Sequence, residues 1–270
     1  MLRSARRTVV LGAALWLAVL GAPLPPAAAT SPAPSHGVAA FGTSTRGRPI
    51  RLAYRCGTGA APFDAATTTV LVVGVIHGTE TAGLPVVAGL GRSTPPAGTC
   101  WWLLAALNPD GRAHGTRQNA RGVDLNRNFP FDWRRAAMSG ADADAPFDTY
   151  FPGRARASEL ETRAALRMVR RLHPDVTIWY HQHLDIVVRP PLPWRQRLAA
   201  TYARAAGMSV RIYPGRALHG TAAAWQHAEQ PASLALVVEL PTGSLAPTAL
   251  VRHVAAVRAI TRAARSRAAR

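Results

Sequence analysis

The sequence predicts a single α/β domain in which helices cover both faces of a central sheet. Three observations predict it. Short apolar runs recur at residues 67–76, which are also β-branched, 100–107 and 234–239. Segments with helical character alternate with them, at 81–90, 158–172, 194–206 and 247–264. The roughly 240 residues after an N-terminal leader suit one sizeable core.

Along the chain, residues 50–55 read as a strand, because apolar positions alternate after Gly47, Arg48 and Pro49. Residues 67–76 read as a buried strand that delivers His77 to its C-terminal end, the edge where open α/β sheets bind ligands. The next helix covers 81–90, with Glu80 near its start. Residues 100–107 form another buried strand, with 108–111 as its turn. Residues 111–157 lack strong periodicity and read as a long functional loop region. Ser158 and Glu161 have the spacing of a capping box, which predicts a helix from Ser158 to about Leu172. A strand over 176–180 ends at His181, and one over 234–239 ends at Glu239.

The first 29 residues are excluded from the fold. Arg3, Arg6 and Arg7 make a basic start, residues 9–20 are apolar, and Ala27, Ala28 and Ala29 offer a small-residue cleavage site. This is the pattern of a secretory signal, too short for a membrane span, with cleavage expected after Ala29. Either the general or the twin-arginine export route fits. Residues 30–37 read as a linker and 38–270 as the catalytic domain. An extracytoplasmic location, in the cell envelope or secreted, is therefore expected. There Cys56 and Cys100 could form one bridge, but sequence leaves open whether they do.

The net charge is +18, from 32 basic and 14 acidic residues. All the basic residues are arginine, spread along the chain, and no nucleic-acid module accompanies them. The charge fits attraction to anionic cell-wall polymers or a membrane surface rather than to nucleic acid.

The chemistry concentrates between His77 and Phe129. His77 and Glu80 can both reach one metal ion, and zinc accepts imidazole nitrogen and carboxylate oxygen. An arginine- and asparagine-rich loop follows, with several groups able to hold an anion. A third ligand could come from His181 or His183, which point the same way in an extended chain. Glu239, at a strand end, suits proton transfer.

These residues, in this order, resemble the zinc carboxypeptidase A superfamily, and more closely its small bacterial branch of murein peptide amidase A-like proteins. The matching positions include residues 47–50, His77, Glu80, residues 108–111, Arg117, residues 122–130, Ser158, Glu159, His181 and Glu239. The resemblance covers roughly 38–262. It implies a mixed, mostly parallel sheet and one zinc per chain held by His77, Glu80 and His181, with Asp124 supporting His77. It assigns general acid–base work to Glu239 and oxyanion stabilisation to Arg117. Asn126 and Arg127 match the pair that holds a substrate's terminal carboxylate. Tyr213 matches a tyrosine that closes over substrate, although its spacing to Gly220 departs slightly from the pattern. The segment lining the family's specificity pocket is mostly alanine here, with no acidic residue to favour a basic terminal side chain. The implied activity is removal of a terminal amino acid from a peptide or muropeptide by a monomer. The alternatives are a zinc amidohydrolase acting on N-acyl amino acids and a non-catalytic wall-binding protein.

Overall fold

A computed structural model describes residues 35–135, 150–214 and 218–268. The expected leader, its cleavage point and residues 30–34 of the linker lie outside them. Strand β1 (His36–Thr43) begins within the last two positions of that linker. It is followed by β2 (Pro49–Cys56), β3 (Thr68–Val73), α1 (Gly83–Gly91), β4 (Thr99–Leu104) and a short α2 (Pro109–His114). A 3₁₀ turn, Leu125–Arg127, then leads to α3 (Leu160–Leu172) and β5 (Val176–Val188). The chain closes with α4 (Pro193–Ala206), β6 (Ser209–Arg211), α5 (Ala222–Glu229), β7 (Leu234–Pro241) and α6 (Pro247–Ala268).

Seven strands form one mixed sheet in the order β1-β2-β4-β3-β5-β6, with β7 also paired to β5. β1, β2 and β4 pair antiparallel, while β3, β5, β6 and β7 join through parallel pairings. The inner strands β3 and β4 are buried at every position, as expected of strands covered on both faces. Their alternate residues feed two cores. Val70, Val72, Trp101 and Ile178 pack with α1, α4 and α6. Leu71, Val73, Trp102 and Trp179 pack on the other face with α3 and α5.

Several local expectations change. Residues 108–111 enter α2 rather than a simple turn: Asn108 Oδ1 accepts from Gly111 N at 2.8 Å, and Pro109 opens the helix without losing a needed donor. Strands β3 and β4 stop at Val73 and Leu104, so His77 lies in the turn beyond β3. Ser158 is not the N-cap of α3. Glu159 occupies that position without a side-chain cap, and the acidic residues are used elsewhere. Glu159 Oε2 accepts from Asn119 Nδ2 (2.9 Å), and Glu161 Oε1 accepts from Thr45 N (2.8 Å). Both carboxylates are buried and tie distant loops to the start of α3. Strand β5 runs past His181 to Val188, its register to β7 slipping between His183 and Val187, near the left-handed Asp185 (φ 52°). The sequence reading also passed over β1, β6 and α5, which are short or of low contrast. Cys56 and Cys100 face each other across β2 and β4 and form a disulfide.

Candidate active site

His77, Glu80 and His181 converge at the C-terminal ends of β3 and within β5. Their ligand atoms all lie within 4.8 Å of one another, and all three side chains are buried. His77 Nδ1 is 2.9 Å from Glu80 Oε1, and His181 Nδ1 is 3.0 Å from Glu80 Oε2. The two Nδ1 atoms are themselves 3.2 Å apart, so two imidazoles and a carboxylate face one point. His77 Nε2 donates to Asp124 Oδ1 at 2.9 Å, which leaves Nδ1 with its lone pair for a metal. Two nitrogens and an oxygen, with a carboxylate behind one imidazole, fit zinc by donor type and number. His183, the rival ligand, is exposed and outside the group.

Local structure explains the convergence. The turn carrying His77 packs tightly on α2: a Cβ at Gly78 would stand 2.1 Å from the carbonyl carbon of Gly111. Gln182, next to His181, ties β5 to the segment that carries Glu80. Its Oε1 accepts from Ala82 N (2.9 Å), and its backbone N donates to Glu80 Oε2 (3.2 Å). Asp124 caps the 3₁₀ turn through Asn126 N (2.8 Å) and receives Arg117 Nε and Nη2 on Oδ2. Arg117 Nη1 also reaches Glu80 Oε1 at 2.7 Å.

The electrostatics follow from these pairings. Burial alone would lower the His77 pKa, but Asp124 and Glu80 outweigh it, and the net shift is upward. Burial likewise pushes Glu80 and Asp124 up, yet the attraction of His77, with His181 or Arg117, holds both below the ordinary carboxylate range. The centre therefore keeps its carboxylates ionised, the state that receives a cation.

Glu239 lies directly opposite His181 in the β5–β7 register. Burial raises its pKa, and the charge of Glu80 adds to the rise, while His181 and His77 oppose it. Asn126 is fixed by Ala222 N, which donates to its Oδ1 (2.9 Å), and its Nδ2 lies 3.4 Å from His181 Nε2. Arg127 is buried and donates from Nη1 to Asn126 O (2.9 Å). Gly220, at φ 63°, comes so close to this turn that a Cβ there would stand 2.2 Å from Arg127 O. A cavity of about 290 Å³ opens beside the metal group, with Asn126, Tyr213, Thr221 and Glu239 among its walls. Tyr213 is half-buried there, and its pKa is raised by burial and by the charge of Glu239. His77, Glu80, His181, Asp124 and Arg117 thus form one connected group, with Asn126, Tyr213 and Glu239 in the walls of the cavity beside it.

The sequence reading missed Tyr150. Its ring lies 5.2 Å from Arg117 Cζ and 5.3 Å from Arg127 Cζ, between the two site arginines. It also missed Gln182 and the apolar wall residue Trp179. Their place within β5, beside His181, was the only available signal.

Comparison with known proteins agrees with this geometry. The zinc carboxypeptidase family pattern matches residues 97–211, which include Arg117, Asn126, Arg127 and His181. Murein peptide amidase A of Escherichia coli K12 is 28% identical over 134 residues, covering 48% of this chain and 55% of that protein. The chain thus spans about half the length of the curated relatives it matches. Carboxypeptidase D of Mus musculus is 35% identical over 154 residues, 42% of this chain but 11% of that protein. Among solved structures, carboxypeptidase A from Helicoverpa armigera superposes with a TM-score of 0.71 at 20% identity, covering 87% of this chain and 70% of that one. A murein-tripeptide amidase from Escherichia coli O157 gives 0.61 at 23%, covering 85% and 92%. Over residues 97–211 the chain thus resembles zinc carboxypeptidases, and the solved structures share its fold.

Proposed function

We propose that the protein is an exported zinc metallocarboxypeptidase that hydrolyses the terminal amide bond of a peptide with a free carboxylate. One observation carries the reading: Glu239 and Asn126, which line one cavity, both adjoin His181 of the His77–Glu80–His181 group, Glu239 across the β5–β7 pairing and Asn126 at 3.4 Å. Zinc held by those three ligands supplies Lewis-acid polarisation of the scissile carbonyl. Glu239 takes the proton of the attacking water and returns it to the leaving amine, and its raised pKa suits both transfers. Arg117, oriented by Asp124, stabilises the negative charge that develops on the carbonyl oxygen. Arg127, with Asn126, receives the terminal carboxylate, for which a planar guanidinium is apt. Tyr213 borders the same cavity and closes over the bound end.

The similarity to murein peptide amidases supports cell-wall peptides as the substrate pool. The basic, apolar, alanine-ended leader and the Cys56–Cys100 bridge support an oxidising, extracytoplasmic setting. The test is a mass-spectrometric time course of the zinc-loaded protein on matched peptides, muropeptides and N-acyl amino acids. Free-ended peptides should lose one residue and amidated ones should not. Equal cleavage of both, or cleavage of the N-acyl amino acids alone, would refute the carboxypeptidase reading. His181→Ala should lose most bound zinc while His183→Ala keeps it.

A further inference from the structure

Arg117 and Arg127 are held in place by unequal means. Arg117 meets two carboxylates: its Nε and Nη2 reach Asp124 Oδ2 at 3.2 and 3.1 Å, and its Nη1 reaches Glu80 Oε1 at 2.7 Å. Arg127 is buried, yet among the described residues it forms no ion pair, and its Nη1 donates to a neutral acceptor, the carbonyl oxygen of Asn126, at 2.9 Å. One neutral acceptor does little to fix a fork with several N–H donors. The ring of Tyr150 supplies a second restraint, its centroid 5.3 Å from Arg127 Cζ and 5.2 Å from Arg117 Cζ. An aromatic face attracts a guanidinium at this range, more strongly where water is excluded. The chain beside Tyr150 is itself laced to the turn that carries Asn126 and Arg127. Asp124 N donates to Phe151 O at 2.9 Å, and Asn128 Nδ2 donates to Pro152 O at 2.8 Å, so the residues after Tyr150 are tied to both ends of that turn.

Resting on the carboxypeptidase reading above, we propose that Tyr150 is a positioning residue, whose ring holds the Arg127 guanidinium in the orientation that receives the substrate's terminal carboxylate. An aromatic ring suits this task because it attracts the cation without using up its donors. A carboxylate in the same place would pair with the fork and compete with the carboxylate of the substrate. The difference between the two arginines predicts an asymmetry. Removing the ring leaves Arg117 on Asp124 and Glu80, so stabilisation of the oxyanion persists. It leaves Arg127 with the Asn126 carbonyl, beside a second cation that repels it. The guanidinium then turns away, and the cost falls on binding of the free end rather than on the chemical step.

The test compares Tyr150→Leu, which keeps an apolar side chain without a ring, with Tyr150→Phe, which keeps the ring, on one free-ended peptide and the zinc-loaded protein. Tyr150→Leu should raise KM by roughly tenfold, the scale of a cation–π contact that has lost its water. Its kcat should stay within about threefold of the starting protein, because the group lost acts on binding. Tyr150→Phe should bring KM back to the starting value. Phenylalanines carrying progressively more fluorine, placed at position 150, keep the shape of the ring while draining its negative face. KM should climb along that series at constant kcat, and the series decides the matter if Tyr150→Leu does not fold. A fall in kcat at unchanged KM, a Phe variant no better than Leu, or a KM that ignores fluorination overturns the proposal while leaving the carboxypeptidase reading intact. Crystal structures of the zinc-loaded Leu and Phe variants supply a readout without turnover. If no peptide is cleaved, yet the Arg127 guanidinium is displaced in the Leu variant and in place in the Phe variant, the function proposed above fails and the role of Tyr150 stands. An Arg127 that keeps its place in the Leu variant removes that role.

Discussion

Tyr180 and His181 are neighbours on β5, yet they enter two different buried polar networks. His181 shares the face of Trp179 and meets His77, Glu80 and, across the strand pair, Glu239. Tyr180 points to the opposite core, where its hydroxyl lies 2.9 Å from that of Tyr202, which in turn lies 2.8 Å from His253 Nδ1. Both networks contain buried histidine. They differ in their carboxylates. His77 has Asp124 and Glu80 in contact, and its pKa rises. His253 is lowered to about 4, by burial first and then by Arg252, with Asp185 opposing. The same residue type is thus a cation-ready ligand on one side and a neutral hydrogen-bond partner on the other, and neighbouring acid groups decide which.

The comparison can be broken at its most consequential carboxylate. Glu239→Gln should keep the fold and the zinc, because shape is conserved and Glu239 is outside the ligand group. Turnover on a free-ended peptide should drop by roughly 10²-fold or more. Near-normal turnover would remove Glu239 from proton transfer. A smaller effect should follow at Asp124, which touches no substrate. Asp124→Asn leaves the ring of His77 poorly oriented and should weaken zinc affinity by roughly 10- to 100-fold, measured by competition with a chelator. Unchanged affinity would mean that Arg117 and Glu80 alone orient the centre.

The smallest effect sharpens the contrast through stability of the metal-free protein. His253 has a folded pKa of about 4 against an ordinary value of 6.5, so the unfolded chain binds more protons between them. Its contribution is lost as pH falls from 6.5 towards 4. His77, with its pKa raised, contributes in the opposite sense: its stabilisation is present below 6.5 and is lost as pH rises through the folded value. Thermal midpoints across this range should therefore tilt in opposite directions. His253→Gln should flatten the acid-side loss, and His77→Gln should deepen it. Parallel shifts in both variants would contradict the difference drawn between the two networks.

Much of this was legible in the sequence. The inner strands announce themselves by short apolar runs, and His77, Glu80, His181 and Glu239 were legible from their order and from the ends of those runs, although β5 continues past His181 to Val188 and β7 past Glu239 to Pro241. Choosing His181 over His183 needed the resemblance, because an extended strand points both the same way; the structure separates them by exposure. Ser158 and Glu161 misled as a capping box because the partner of Glu161, Thr45, is distant in the chain. Tyr150 has no periodicity to reveal it, since its role depends on two arginines brought together by folding. The disulfide was undecidable for the same reason: the pairing of β2 with β4 is a property of topology.

That bridge closes a covalent ring over a sequence separation of 44, and the ring contains both His77 and Glu80, while His181 and Glu239 lie outside it. In a chain-entropy account, a ring of this size removes about 4 kcal/mol of freedom from the unfolded chain. A reduced chain must recover that order from packing alone before two of the three zinc ligands can assemble. Reducing the bridge should therefore make the metal harder to capture without altering a single ligand.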